Sequence, residues 1–400
     1  MSTVTQGPDN REAEATAEIS IEQRETEGLS QGQIVRRRFF RHRAAVTSMI
    51  VLAFIVVLSF TSVGIEIGSL RIPGWWQYDW REIPTVENRG APTLSLIPEF
   101  LGGAGIAFGN HPFGQDEVGR DTFAVVMRGA QQSLMVMVIA GVVATIIGVV
   151  IGAIAGYYRK WADSVLMRFT DIIITIPLIV IGAVLGNALG NLGAAVLGVV
   201  IGLFAWTTLA RLVRGEFLTL REREFVDAAR VSGARDRRII FRHILPNAVG
   251  VIVVNATLLM AGAILLESAL SFLGFGVQSP DTSLGKIVSD NQAAFSTRPW
   301  LFWWPGIFII AIALCVNFIG DGLRDAFDPR QKKMPSERAM ARAGRAKTPS
   351  GPIVDRVDPR DPASVAVAGE AVYTGDVENY HDPRPEEPGD AGHGRFDPER

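Results

Sequence analysis

The chain has 400 residues, 48% of them hydrophobic and 20% charged, with a formal net charge of −2. Length alone would allow two or three soluble domains, but the apolar residues gather into runs of about 20 residues, the length that crosses a bilayer, which excludes an ordinary soluble domain. Residues 351–400 carry a net charge of −7 and the rest +5. That basic excess sits beside the apolar runs, as cytoplasmic loops require, and gives no sign of a nucleic-acid partner.

Residues 1–34 are polar and acidic without helical periodicity and are expected to be a disordered cytoplasmic tail. A dense basic block follows, Arg36-Arg37-Arg38-Phe39-Phe40-Arg41-His42-Arg43, and then an uncharged run over about 44–65. The positive-inside rule makes this a first span with its N-terminus in the cytoplasm. Residues 35–128 are therefore the first transmembrane helix plus an external loop. The loop holds Trp75, Trp76 and Trp80, suited to a membrane–water interface, and a turn-rich stretch from His111 to Asp121.

The remaining spans, with their loops, occupy residues 129–330. The second run, about 133–157, places Gly148, Gly152 and Gly156 at four-residue spacing, a smooth strip for close helix packing rather than substrate contact. A third run over about 172–189 repeats the device with Gly182, Gly186 and Gly190, and a fourth over about 192–212 has Gly198 and Gly202. The fifth covers about 249–266, a polar external loop about 277–299, and the sixth about 300–319. The basic exit Arg330-Gln331-Lys332-Lys333 returns the chain to the cytoplasm. Residues 331–400, rich in Pro, Gly, Asp and Glu, are expected to be a second disordered cytoplasmic tail. The expected protein is an all-α polytopic membrane protein with six transmembrane helices and both termini cytoplasmic.

Between the fourth and fifth runs lies a polar island, residues 222–247: EREFVDAARVSGARDRRIIFRHILPN. Arginines crowd it, Gly233 interrupts it and Leu245-Pro246 ends it, so it predicts two short helices joined by a turn at Gly233. Catalytic patterns are missing from the chain. Gly285-Lys286 is followed by Ile287, so no phosphate loop forms, and neither His-Glu-x-x-His nor Gly-x-Ser-x-Gly occurs. No catalytic or metal-binding residue is assigned. The single cysteine, Cys315, cannot form a disulfide within the chain, and His42, His111, His243, His381 and His393 have no ligand spacing. The spans are almost free of charge: Asp171 and Glu267 lie at predicted span ends, where capping or interfacial pairing explains them. A proton-coupled pump would place carboxylates deeper. A pathway with no energy source of its own must receive energy from a partner, and the polar island is where that partner would act.

The island resembles the EAA loop of binding-protein-dependent ABC importer permeases. Asp227-Ala228-Ala229, then Gly233, then Leu245-Pro246 stand at the loop's spacing, with Asp for the family's Glu and His243 at its Ile place. His111 to Asp121, Glu267 to Gln278 and Phe318 to Arg330 resemble the second permease subunit of the dipeptide/oligopeptide/nickel branch. The resemblance covers about residues 35–330. It implies the type I ABC importer permease fold in the cell (plasma or inner) membrane, with a coupling helix between helices 4 and 5. It also implies a second permease subunit, two ATP-binding subunits and an extracytoplasmic substrate-binding protein, with membrane lipid around the spans. ATP and magnesium would be held on the partner subunits and no cofactor on this chain. Asp227, Ala228, Ala229, Gly233, Arg235, Leu245 and Pro246 would couple to the ATPase. Dipeptides or oligopeptides are the expected cargo, with nickel, glutathione or another peptide-like solute as alternatives. The substrate-contacting residues are unknown at this point. A stand-alone secondary transporter is the remote alternative; it would call for buried carboxylates or a broken helix at the bilayer midplane, and the sequence shows neither.

Overall fold

A computed structural model describes residues 31–67, 70–95, 108–189 and 192–327. Residues 1–30 and 328–400, which contain most of the two expected tails and the basic exit, lie outside the described residues, as does Gly190.

Helix α1 is Gln31–Arg41, so residues 31–34 belong to a helix rather than to a disordered tail. His42 leaves helical geometry and caps α2, Arg43–Ser62, by accepting a 3.1 Å hydrogen bond from the Ala45 N–H through Nδ1. Val, Ile and Phe crowd α2 despite their modest helix propensity. In hydrocarbon every main-chain polar group needs an internal partner, and a helix supplies it. A small antiparallel hairpin follows, β1 Ile65–Ile67 and β2 Leu70–Ile72, the one departure from an all-α chain among the described residues.

Helix α3, Thr122–Tyr158, is the axis of the bundle and packs against α2, α4, α6, α7, α9 and α11 as they are defined below. The next two spans are bent, against the expectation of unbroken ones. Helix α4, Lys160–Ile174, meets α5, Leu178–Leu189, at 74° across Thr175-Ile176-Pro177. Pro177 has no N–H to continue the ladder and pushes Ile176 away from helical geometry. Helix α6, Ala194–Ala205, meets α7, Thr207–Arg221, at 46°. There the Trp206 indole N–H donates to the Leu203 carbonyl at 2.8 Å, a side chain entering the helix ladder at the bend.

The glycine strips do what their spacing predicted. A Cβ on Gly152 would stand 2.5 Å from the Ala210 carbonyl oxygen of α7, and one on Gly202 2.9 Å from the Ala140 carbonyl oxygen of α3. Helix backbones touch there, which Gly alone permits.

Helix α8 is Glu224–Val231. Helix α9 then runs without a break from Asp236 to Phe272. The expected second short helix is thus the first part of the fifth span, and Leu245-Pro246 lies inside the helix instead of ending it. Residues Ile239–Ile244 are wound as π-helix, and the Leu245 N–H reaches the Ile240 carbonyl. In a regular α-helix the Pro246 ring would strike the Arg242 carbonyl; the wider turn relieves that clash. Helix α10, Leu284–Asp290, packs between α9, α11 and α3, with α11 being Trp300–Phe327. The expected polar loop over 277–299 is therefore partly internal, with Val277, Leu284 and Ile287 buried. Among the described residues four helices are long and apolar enough to cross a membrane singly, and counting each bent pair as one span gives six.

Candidate functional site: a coupling helix and a cavity at the helix breaks

Of five buried apolar clusters among the described residues, one seats the polar island. Val226 of α8 is fully buried among Tyr157, Phe217, Ile239, Ile240 and Ile244, so one residue plugs the short helix into the ends of α3, α7 and α9. Polar contacts reinforce the seat. Tyr157 donates its hydroxyl proton to Asp236 at 2.7 Å, Arg159 pairs with Glu222 at 2.7 Å, and Arg221 donates to the Tyr157 carbonyl.

With its inner face held by Val226, α8 turns the rest outward. Asp227 and Ala228 are exposed and Ala229 half-buried. Gly233 has φ +75° and ends the helix in a Schellman motif, in which the Ala234 N–H reaches the Ala229 carbonyl at 3.0 Å and the Gly233 N–H the Arg230 carbonyl at 2.9 Å. Nothing lies within 4 Å of a Cβ built there, so the turn alone demands glycine. Arg235 is exposed; Leu245 is half-buried and Pro246 exposed, both within α9. The predicted site residues thus share one end of the molecule, but Leu245 and Pro246 serve the helix rather than the outward face. Asp227, expected to reach a partner, accepts from Arg230 of its own helix at 2.9 Å. Asp227 is largely solvated and Arg230 more than a third exposed, so water screens the pair and it adds little stability. Sequence reasoning missed the apolar part of this face: Val231 is 90% exposed and Phe241 61% exposed. An apolar side chain in an otherwise polar, arginine-rich stretch was the signal available.

Midway along the bundle the two bends open a cavity of about 630 Å³. Its wall is aliphatic, from Ile176 and Pro177 at one break to Leu258 and Leu259 of α9, with Thr207, Thr208 and Asn255 as its polar side chains. Broken helices belong where they line such a space, because irregular backbone is tolerated at membrane depth only in protein or at water. Pro177 marked the first break in the sequence. The second could have been read from Trp206-Thr207-Thr208 within an apolar run.

The end opposite α8 is tied by a partly buried ion pair and a network of buried hydrogen bonds. Arg128 of α3 donates to both carboxylate oxygens of Asp281, at 2.9 and 3.0 Å, and Gln132 donates to one of them at 2.6 Å. Gln131 reaches the Ser59 and Gly64 carbonyls at 2.7 Å each. Asp121 caps α3 by accepting from the Ala124 N–H at 2.9 Å; it also accepts from the Trp76 indole at 2.8 Å and lies 2.8 Å from His111 Nδ1. Burial holds its carboxyl above the usual carboxylate range, against the lowering effect of these hydrogen bonds.

Glu267 corrects an expectation. It is fully buried in α9 rather than lying at an interface, and accepts from Ser133 at 2.8 Å and Ser271 at 2.7 Å. Ser133 in turn accepts from the Leu284 N–H at 3.2 Å, so the carboxylate ties α9, α3 and α10 together. A buried carboxylate and broken helices are thus both present, although neither was expected. Fold geometry therefore does not separate a stand-alone transporter from an ATP-driven one.

Relatives decide the question. Residues 148–333 match the family described as binding-protein-dependent transport system inner membrane component, and residues 30–66 the N-terminal TM domain of oligopeptide transport permease C. The oligopeptide transport system permease protein OppC of Haemophilus influenzae is 37% identical over 312 residues, 78% of this chain and 93% of that one. Its namesake in Escherichia coli is 40% identical over 317 residues, 79% and 97% of the two chains. A chain of the inward-facing MetNI methionine ABC transporter superposes with a TM-score of 0.43 at 19% identity, over 51% of this chain and 96% of that one. With family matches at both ends of its membrane region and relatives aligned over more than three quarters of its length, the chain belongs to the binding-protein-dependent inner membrane components: it is an ABC importer permease.

Proposed function

We propose that this permease carries oligopeptides inward as one of two paired permease subunits, driven by two ATP-binding subunits, one of which docks on α8, and supplied by an extracytoplasmic binding protein. Peptide as cargo is supported by the names of the OppC relatives. ATP and magnesium belong to the docked subunits. The α8 end and both termini face the cytoplasm in this reading, in line with the arginines around α1 and α8.

The continuity of α9 carries the coupling mechanism. The same element begins at Asp236, which is bonded to Tyr157 at the Val226 seat of α8, and lines the cavity through Asn255, Leu258 and Leu259. At 1.5 Å per residue, Asp236 and Asn255 are about 28 Å apart along it. A push on α8 at the Val226 seat is therefore delivered at membrane depth without an intervening loop. Closure of the ATPase pair would rock α9 and change access to the cavity, a two-state rigid-body shift biased by nucleotide. The cavity is the passage in this reading, its aliphatic wall admitting apolar side chains. Thr207, Thr208 and Asn255 offer hydrogen bonds to a peptide backbone.

The test is co-purification and transport with the genomic partner subunits. Ala229→Glu and Gly233→Arg should release the ATPase subunits and abolish peptide uptake while the permease still folds and inserts. Intact docking and uptake in both variants would refute the coupling assignment. Uptake of a nickel complex or glutathione in preference to peptides would refute the cargo.

A further inference from the structure

Helix α1 is not simply the start of the first span. It is arginine-rich and amphipathic, and its chain direction breaks at His42, where ψ is 96°. Phe39 is buried against Ala326 at the end of α11, with Val35 and Leu323 packed beside it. His42 lies 3.4 Å from Asp325. One side of α1 is thus fastened to the last span. Phe40, about 100° further round the helix, is 56% exposed. Arg36, Arg41 and Arg43 are exposed as well. Because α2 enters the membrane from Arg43, α1 stands at headgroup level by connectivity alone. A short, strongly polar helix with an aromatic side chain and several arginines, held at that depth, has the makings of an interfacial element.

We propose that α1 is a docking surface for anionic phospholipid, with Phe40 immersed at the acyl boundary and Arg36, Arg41 and Arg43 on the phosphate headgroups. The five arginines between residues 36 and 43 supply the charge complementarity. The pinning of Phe39 keeps them from swinging into water. Each arginine at such a surface favours an anionic over a neutral lipid about fivefold at low salt. Arg36, Arg41 and Arg43 together give a local enrichment of order 10² before screening. Since α1 is fastened to α11, lipid held there also braces the end of the last span.

The test places a fluorophore on the cysteine of Phe40→Cys in the full-length chain, reconstituted in phosphatidylcholine nanodiscs. Cys315, the native cysteine, is buried, so the unsubstituted chain serves as the labelling control. Brominated phosphatidylglycerol should quench the probe at least several-fold more than brominated phosphatidylcholine at equal mole fraction. Arg36→Gln, Arg41→Gln and Arg43→Gln combined should bring the two lipids to parity. Should that variant fail to insert, a salt titration of the chain with its arginines intact decides instead. The preference should fade toward 1 M salt, where the Debye length is about 3 Å. Equal quenching by both lipids at low salt, no quenching by either, or a preference that salt or the triple substitution leaves unchanged would overturn the proposal.

Discussion

Gly233 offers the sharpest test of how the coupling helix is held. Its φ of +75° lies in the left-handed region, and nothing stands within 4 Å of a Cβ built on it. An alanine there meets no clash, so its cost is purely conformational, about 1–2 kcal/mol for a side chain in left-handed geometry. The chain can escape that strain by carrying α8 past Ser232, which gives up the two closing hydrogen bonds, Ala234 to Ala229 and Gly233 to Arg230. At tenfold per 1.4 kcal/mol, the ratio of docking-competent to extended turn falls roughly 5–30-fold, and affinity for the ATPase subunit should fall by up to that factor. Asparagine tolerates left-handed geometry, so Gly233→Asn should lose much less. The measurement is a titration of ATPase subunit onto the reconstituted permease, with the thermal midpoint recorded alongside. That midpoint should fall by no more than this strain accounts for, because the position is open to solvent and no packing is lost. Docking by Gly233→Ala equal to that of glycine would refute the turn argument. Weaker docking by Asn than by Ala would also refute it, since side-chain size would then matter and glycine would be serving contact with the partner.

Other positions test the frame. Gly152→Ala would place a Cβ 2.5 Å from the Ala210 carbonyl oxygen, and separating α3 from α7 should destabilise the protein by about 1–3 kcal/mol, read as a lowered thermal midpoint in detergent. Asp281→Ala leaves Arg128, itself 7% exposed, without its bidentate partner but with Glu66 still 4.0 Å away, so the expected loss is at most about 3–5 kcal/mol in the same assay; Arg128→Met with Asp281→Ala should recover part of it. Asp121 predicts a pH dependence. Burial raises its folded-state pKa above the ordinary 3.8, so the folded chain holds a proton that the unfolded chain has released. Its contribution is fully present below 3.8 and declines as pH rises through the folded-state value, by at most about 1.4 kcal/mol per pH unit. Asp121→Asn should remove that slope from a plot of thermal midpoint against pH, and an unchanged slope would assign it to another group.

What the sequence determined follows from composition and local geometry. Six apolar runs must be spans because main chain in lipid has to satisfy itself. Glycines at four-residue spacing must mark close helix contacts, and Gly148, Gly152 and Gly156 do face α7. The Ala-Ala…Gly…Leu-Pro spacing resembled a coupling loop, and Gly233 occupies the left-handed turn it was expected to make. Tertiary structure decided what depends on partners far along the chain. Hydropathy sees how apolar a window is, not which way a side chain points or what lies opposite. Glu267 therefore read as a span-end residue, although Ser133, 134 positions earlier, holds it inside the bundle. Arg128 and Asp281 meet across 153 positions. Pro246 looked like a stop, but a π-wound turn carries the helix past it and makes the second half of the polar island and the cavity wall one continuous element.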